Sequence, residues 1–188
     1  MAGRSIHDFS VTNIRARVGL VTQDVQLFHA SVRDNITLFD TEVPDVRILE
    51  VMHKLGLSPW LWTLPNGLDT QLCTGSNSLS GGEAQLVSLA RIFLKDPGLV
   101  ILDEASSRLD PATEHVLQTA IAALLRTRTG IIIAHHLKTL EHVDNILILH
   151  HGSVQEFGSR AKLEADVHSR YYELLHAGHS EVCFEVAE

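Results

Sequence analysis

Two stretches of the sequence combine residue types and spacing that can do phosphate chemistry. Leu99-Val100-Ile101-Leu102-Asp103-Glu104 is an apolar run that ends in two adjacent carboxylates. In an open parallel sheet, ligands bind beyond the carboxyl ends of the strands. An Asp at such an end can hold Mg²⁺, directly or through water, and a Glu after it can polarise a water for in-line attack on phosphate. On its own the run equally describes a strand that enters a polar loop. The second stretch, Leu79-Ser80-Gly81-Gly82-Glu83 with Gln85 following, opens a helix-like segment. Ser80 is a natural N-cap, and the paired glycines let backbone N–H groups approach an anion at the positive helix end. Alone it also suits a helix preceded by a flexible turn. Twenty-four residues separate Leu79 from Asp103. The two stretches together are far more specific than either one.

The elements that must position these residues follow from hydrophobic patterning. Residues 18–21, 99–102 and 131–134 are short, β-branched or Leu-rich runs flanked by turn residues or charge. Such runs predict strands buried on both faces, as in a parallel sheet. Between them, residues 45–55 carry Val46, Leu49 and Met52/His53 at helical spacing, and 83–94 place Leu86, Leu89/Ala90 and Phe93 on one face. Asp110-Pro111 opens a third helix, with Asp as N-cap and Pro in the first turn, running to Leu125. Alternation of strands and helices implies an α/β domain with a mostly parallel sheet. Residues 24–95 contain no comparable strand and read as a mostly helical insertion, punctuated by loops at Pro59-Trp60-Leu61-Trp62 and Pro65-Asn66-Gly67. Residues 146–149 and 153–157 predict a terminal hairpin, and 161–175 a last helix.

Composition narrows the class. The chain has 188 residues, 45% hydrophobic and 20% charged, the balance of one ordinary core-forming domain. A net charge of -8 argues against binding to nucleic acid through phosphate neutralisation. Two distant cysteines, Cys73 and Cys183, make neither a disulfide framework nor a zinc knuckle and suit a reducing compartment. No apolar run approaches the ~20 residues of a spanning helix, and the N-terminus lacks a signal-like stretch, so the chain as given is expected to be soluble. The 12 histidines include the pairs His135-His136 and His150-His151, but no metal-ligand spacing such as HExxH occurs.

The motifs resemble those of the ATP-binding cassette (ABC) ATPases, in the family's order and over most of the chain. Leu79-Ser80-Gly81-Gly82-Glu83-Ala84-Gln85 is similar to the family's signature, and residues 99–104 to its Walker B strand. Val21-Thr22-Gln23-Asp24 resembles the Q-loop, Ser107-Arg108-Leu109-Asp110 the D-loop, and Ile133-Ala134-His135-His136-Leu137 the switch-histidine loop. Gln23-Asp24-Val25-Gln26-Leu27-Phe28, with Ser31-Val32-Arg33-Asp34-Asn35-Ile36 and Pro65-Asn66-Gly67-Leu68-Asp69-Thr70, is similar to the exporter type. Departures are His136, where the family usually has Arg, Arg108 in the D-loop, and the segment Gln71-Leu72-Cys73-Thr74-Gly75-Ser76.

The resemblance implies a P-loop NTPase-like, mostly parallel sheet with an inserted helical signature subdomain. The expected division is a core at 1–23 and 96–160, the helical subdomain at about 24–95 and a C-terminal helix at about 161–175. It implies ATP hydrolysis with Mg²⁺, in a head-to-tail dimer with a second cassette and with transmembrane domains, at the cytoplasmic face of the plasma membrane. Glu104 would position the attacking water and Asp103 hold Mg²⁺ through its water shell. Gln23 would reach the Mg²⁺ and the water, and His135 the γ-phosphate. Ser80, Gly81 and Gly82 would complete the partner's site, and Asp110 would bridge the dimer. One family element is not found: none of the four lysines, Lys54, Lys95, Lys138 and Lys162, follows a glycine. The Gly-Lys-Ser/Thr phosphate loop, Walker A, is therefore absent from the sequence. The chain is expected to begin in mid-cassette and to be inactive alone. A first rival is an inactive interaction module that supplies its signature in trans to an intact cassette. A second is a DNA-repair ATPase of the superfamily, disfavoured by the short helical insertion and the acidic charge.

Overall fold

The computed structural model describes residues 5–72, 79–103, 111–134 and 137–177. Three of the apolar runs form one parallel sheet in the order β1 (Val18–Val21), β2 (Leu99–Asp103), β3 (Thr129–Ile133). The register aligns Leu20 with Ile101 and Ile101 with Ile131. Val21, Val100 and Leu102 are buried in a single apolar cluster with side chains of the helices. The opposite face differs from expectation: Leu20 is 54% exposed, Ile131 48% and Ile133 47%. Among the described residues, helices cover one face of the sheet, and the alternate side chains of each strand therefore have no apolar layer to enter.

Around the sheet the first compact unit, Met1–Ile133, is helical. Its helices are α1 (Val11–Arg17), α2 (Val32–Thr37), α3 (Asp45–Lys54), α4 (Ser58–Thr63), α5 (Gly81–Lys95) and α6 (Pro111–Leu125). Helix α3 forms as its periodicity predicts but buries a different stripe. Ile48, Val51, Met52 and Leu55 go inside, while Val46 and Leu49 stay exposed. The 48/51/52/55 set fills i, i+3, i+4 and i+7, a wider apolar stripe than the 46/49/52 row. The segment expected to loop at Pro59 is helix α4. Pro59 lies in its first turn, where a missing N–H leaves no bond unmade, and Leu61 is buried.

The segment joining β1 to α2 is organised by Asn35, which is fully buried. Its Nδ2 donates to the carbonyls of Phe28 and Ser31, each at 3.0 Å, and its Oδ1 accepts from the Phe28 N–H at 2.8 Å. One side chain thus substitutes for the secondary structure this loop lacks. Ser31 opens α2 with a capping box closed by Asp34.

The second unit, Ala134–Glu188, contains the antiparallel hairpin β4 (Asn145–His150) and β5 (Ser153–Ser159), with His151 and Gly152 at positive φ in the turn. Where one terminal helix is expected, two form: α7 (Arg160–Ala165) and α8 (Arg170–His176). The break has a local cause. Ser169 Oγ donates to the Leu163 carbonyl and accepts from the Tyr172 N–H, so it closes one helix and caps the next. Glu156 on β5 accepts from the N–H groups of Arg170 and Tyr171, fixing the start of α8. Burial pushes the Tyr171 phenol above its ordinary pKa.

Asn35→Ala removes the bonds that shape residues 28–31 and leaves the Phe28 N–H without its acceptor. It should destabilise the chain by about 3 kcal/mol, the cost of several buried polar groups losing partners. Urea unfolding of both forms measures this; a loss below about 1 kcal/mol, the value of one ordinary hydrogen bond, would contradict the assigned role.

Candidate phosphate-binding site

The parallel register places the carboxyl ends of β1 and β2 side by side, with Val21 opposite Leu102. Beyond β1 come Thr22 and Gln23, both exposed; Asp103 ends β2, half-buried. The chain thus presents Gln23 and Asp103 at the same end of the sheet, the end where ligands bind in open α/β folds. Glu104, His135 and Asp110 lie outside the described residues, as do Cys73 and the segment 107–109.

Helix α5 is the second part of the site. Ser80 caps it: its Oγ accepts from the Glu83 N–H at 3.2 Å, and the Glu83 carboxylate accepts from the Ser80 N–H at 2.7 Å. This reciprocal box satisfies two end groups, and the first-turn N–H groups of Gly81 and Gly82 have no intrahelical acceptor by the geometry of any helix start. A Cβ built at Gly81 meets nothing within 4 Å among the described residues beyond its chain neighbours, so they leave that side of the helix end open. The Trp60 indole N–H donates to the other Glu83 oxygen at 2.9 Å. An open depression of about 460 Å³ adjoins this end, lined by Trp60, Ser80, Glu83 and Leu86 with Ala112, Thr113 and Val116 of α6.

Helix α5 is clamped against β1 at both ends. Gln85, 6% exposed, donates through Nε2 to the carbonyls of Gln23 at 2.8 Å and Thr22 at 3.1 Å. Ten residues on, Lys95 Nζ donates to the Val18 carbonyl at 3.0 Å. Between the clamps the helix approaches so closely that a Cβ at Gly19 would lie 2.8 Å from Ile92 and 2.9 Å from Pro97. Arg91, midway along, donates to the backbone carbonyls of Asn35 at 2.6 Å and Gln26 at 2.9 Å, and to Asn35 Oδ1 at 3.2 Å. Burial lowers the Arg91 guanidinium pKa from its ordinary value. The stretch beginning with the Ser-Gly-Gly turn therefore holds the strand end that carries Gln23 and the loop that follows it.

In the sequence Gln85 stands out only as part of the motif, and neither Arg91 nor Trp60 stands out as a site residue. A polar signal existed for Arg91, a cation on the α5 face that also carries Ser88 and Ile92. Trp60 gave none, because its partner lies 23 residues away across a turn-rich segment. Among the described residues no group of three or more His, Cys, Asp or Glu could hold a metal ion, and no helix is long and apolar enough to cross a membrane.

The parallel sheet, the helical insertion and the capped glycine turn define a P-loop NTPase-like α/β domain. The family model described as ABC transporter matches residues 1–107. The chain is 39% identical over 181 residues to a multidrug efflux ATP-binding/permease protein of Mycobacterium bovis, covering 96% of this chain and 15% of that protein. It is 36% identical over 173 residues to a putative multidrug export ATP-binding/permease protein of Bacillus subtilis, covering 92% of this chain and 30% of that one. It is 38% identical over 182 residues to the mitochondrial iron-sulfur clusters transporter of Homo sapiens, covering 97% of this chain and 24% of that one. The chain belongs to the ABC transporter family, as an ATP-binding domain of the exporter type. It spans between 15% and 30% of the length of these relatives.

Gln85→Glu sets a carboxylate against two backbone carbonyls. It should destabilise the chain by about 3 kcal/mol, roughly twice the effect of Gln85→Ala, which removes the donor without adding repulsion. Denaturation midpoints of the two variants decide this; equal losses would mean that the amide does not hold the strand end.

Proposed function

We propose that this chain is the signature-bearing and Walker B-bearing part of a cassette that couples ATP hydrolysis to export across a membrane, working with transmembrane domains at the cytoplasmic face of the plasma membrane. The observation that carries the reading is the placement of Asp103 and Gln23 at one end of a parallel sheet, with the Ser80-Gly81-Gly82 helix start clamped to that same end through Gln85. ATP is the substrate and a second cassette the partner that completes each site.

The donor chemistry fits a hard divalent cation. Asp103 offers carboxylate oxygen and Gln23 an amide oxygen, the ligand types that Mg²⁺ takes alongside its waters. When bound, the ion neutralises charge on the phosphate oxygens. Glu104, directly after Asp103, holds and deprotonates the attacking water, and His135 donates a hydrogen bond to the γ-phosphate. The N–H groups of Gly81 and Gly82, with the Ser80 hydroxyl, bind the γ-phosphate of ATP held by the partner cassette. Asp110 bridges the two cassettes.

A second reading is favoured by the missing Gly-Lys run. In it the chain acts without hydrolysis of its own and lends its Ser80 helix start to an intact cassette. The open side at Gly81 suits such a role.

The chain alone should neither bind nor hydrolyse ATP measurably, because no lysine and glycine loop cradles the β- and γ-phosphates. Calorimetry with MgATP tests this; millimolar-range binding, with turnover abolished by Glu104→Gln, would overturn it. In an assembly where a Gly-Lys-Ser/Thr loop completes this cassette, Glu104→Gln should lower turnover by at least about a hundredfold while sparing ATP binding. Asp103→Asn should instead weaken Mg²⁺-dependent binding. Equal loss of ATP affinity in both variants would refute the division of roles.

A further inference from the structure

Glu83 is the acidic residue of the first turn of α5, and its charge sits where the proposed function needs room for a phosphate. An acidic side chain at a helix start is favourable to the helix, but it competes with an incoming anion for the same N–H groups. The structure shows how this conflict is held in check. One Glu83 oxygen accepts from the Ser80 N–H at 2.7 Å and the other from the Trp60 indole N–H at 2.9 Å. Among the described residues, and apart from its two chain neighbours, no side chain lies within 4 Å of where a Cβ at Gly81 would sit, the Glu83 carboxylate included. Trp60 is itself half-buried and packs against the apolar cluster of the first unit, so its N–H is a fixed donor rather than a swinging one. Trp62, two residues on in the same helix, is 80% exposed and has no such role.

We propose that Trp60 is a positioning residue for the phosphate-binding turn: its indole N–H holds the Glu83 carboxylate on the Ser80 amide and away from the exposed Gly81, leaving the Gly81 N–H to the γ-phosphate of a partner-bound ATP. The inference rests on the reading that this helix start meets ATP in trans. It assigns the selectivity of the turn, open to a phosphate despite an adjacent carboxylate, to a residue outside the glycine motif. Trp60→Phe keeps the ring and deletes the donor. The freed carboxylate then loses its fixed orientation, and like-charge repulsion reaches the phosphate site.

Two measurements test it. The first is amide hydrogen exchange at Ser80 in the chain alone. Trp60→Phe should speed it several-fold, because the carboxylate that accepts from this N–H is no longer held, while Trp62→Phe should leave it unchanged. The second is ATP-dependent association with a cassette that has an intact phosphate loop and a dead signature. Trp60→Phe should weaken it about tenfold, the scale of one hydrogen bond to a charged group. In the Glu83→Gln background the same substitution should cost less than about twofold, because a neutral amide does not repel phosphate. An equal cost in both backgrounds would mark Trp60 as a packing residue and overturn the proposal, as would unchanged exchange at Ser80. If the wild-type chain shows no ATP-dependent association, the trans reading fails, and with it the phosphate-facing half of this inference; the exchange result alone then decides whether Trp60 holds Glu83.

Discussion

The close approach of helix α5 to strand β1 is the constraint from which the rest of the first unit follows. Gly19 makes it possible, since any side chain there would collide with Ile92 and Pro97. Gln85 and Lys95 then fix the helix against the strand at both ends through backbone carbonyls. The Gln85 bonds come from a buried side chain and the Lys95 bond is charge-assisted, which makes both stronger than an exposed neutral bond. The outcome is a helix whose start has one defined place relative to the strand ends. A phosphate site needs that property, because an N–H group misplaced by an ångström loses most of its effect on a developing charge.

Arg91 extends the same constraint outward. It joins α5 to Asn35, and Asn35 shapes the loop that follows Gln23. The glycine turn, the strand end and the post-strand loop therefore share one hydrogen-bonded frame. A displacement of that loop has a short covalent and hydrogen-bonded route to α5, and the reverse holds equally.

Much of this was legible in the sequence where one local rule governed the outcome. Val18–Val21 is β1 as its apolar run predicts, and Ser80 caps α5 as its residue type predicts. The α3 stripe and the α4 helix at Pro59 depart from expectation because competing rules apply there. Two apolar rows shared one short helix, and a proline that breaks helix interiors is compatible with a first turn. The single helix expected at 161–175 divides in two because the Ser169 side chain terminates α7 and starts α8. Full burial of both sheet faces was inferred from β-strand composition, whereas Leu20, Ile131 and Ile133 show that composition reports the capacity for burial and not the presence of a covering layer. Trp60 could not be found locally, since the contact that gives it meaning joins segments 23 residues apart.

The central claim is that the start of α5 meets the γ-phosphate of ATP bound by a partner cassette. Vanadate trapped with ADP in place of that phosphate, in an assembly of this chain with a phosphate-loop-intact cassette, permits photocleavage of the backbone it touches. The account predicts ultraviolet cleavage of this chain within residues 79–83, dependent on nucleotide and vanadate together. Cleavage of the partner alone, with this chain intact although present in the trapped assembly, would contradict it.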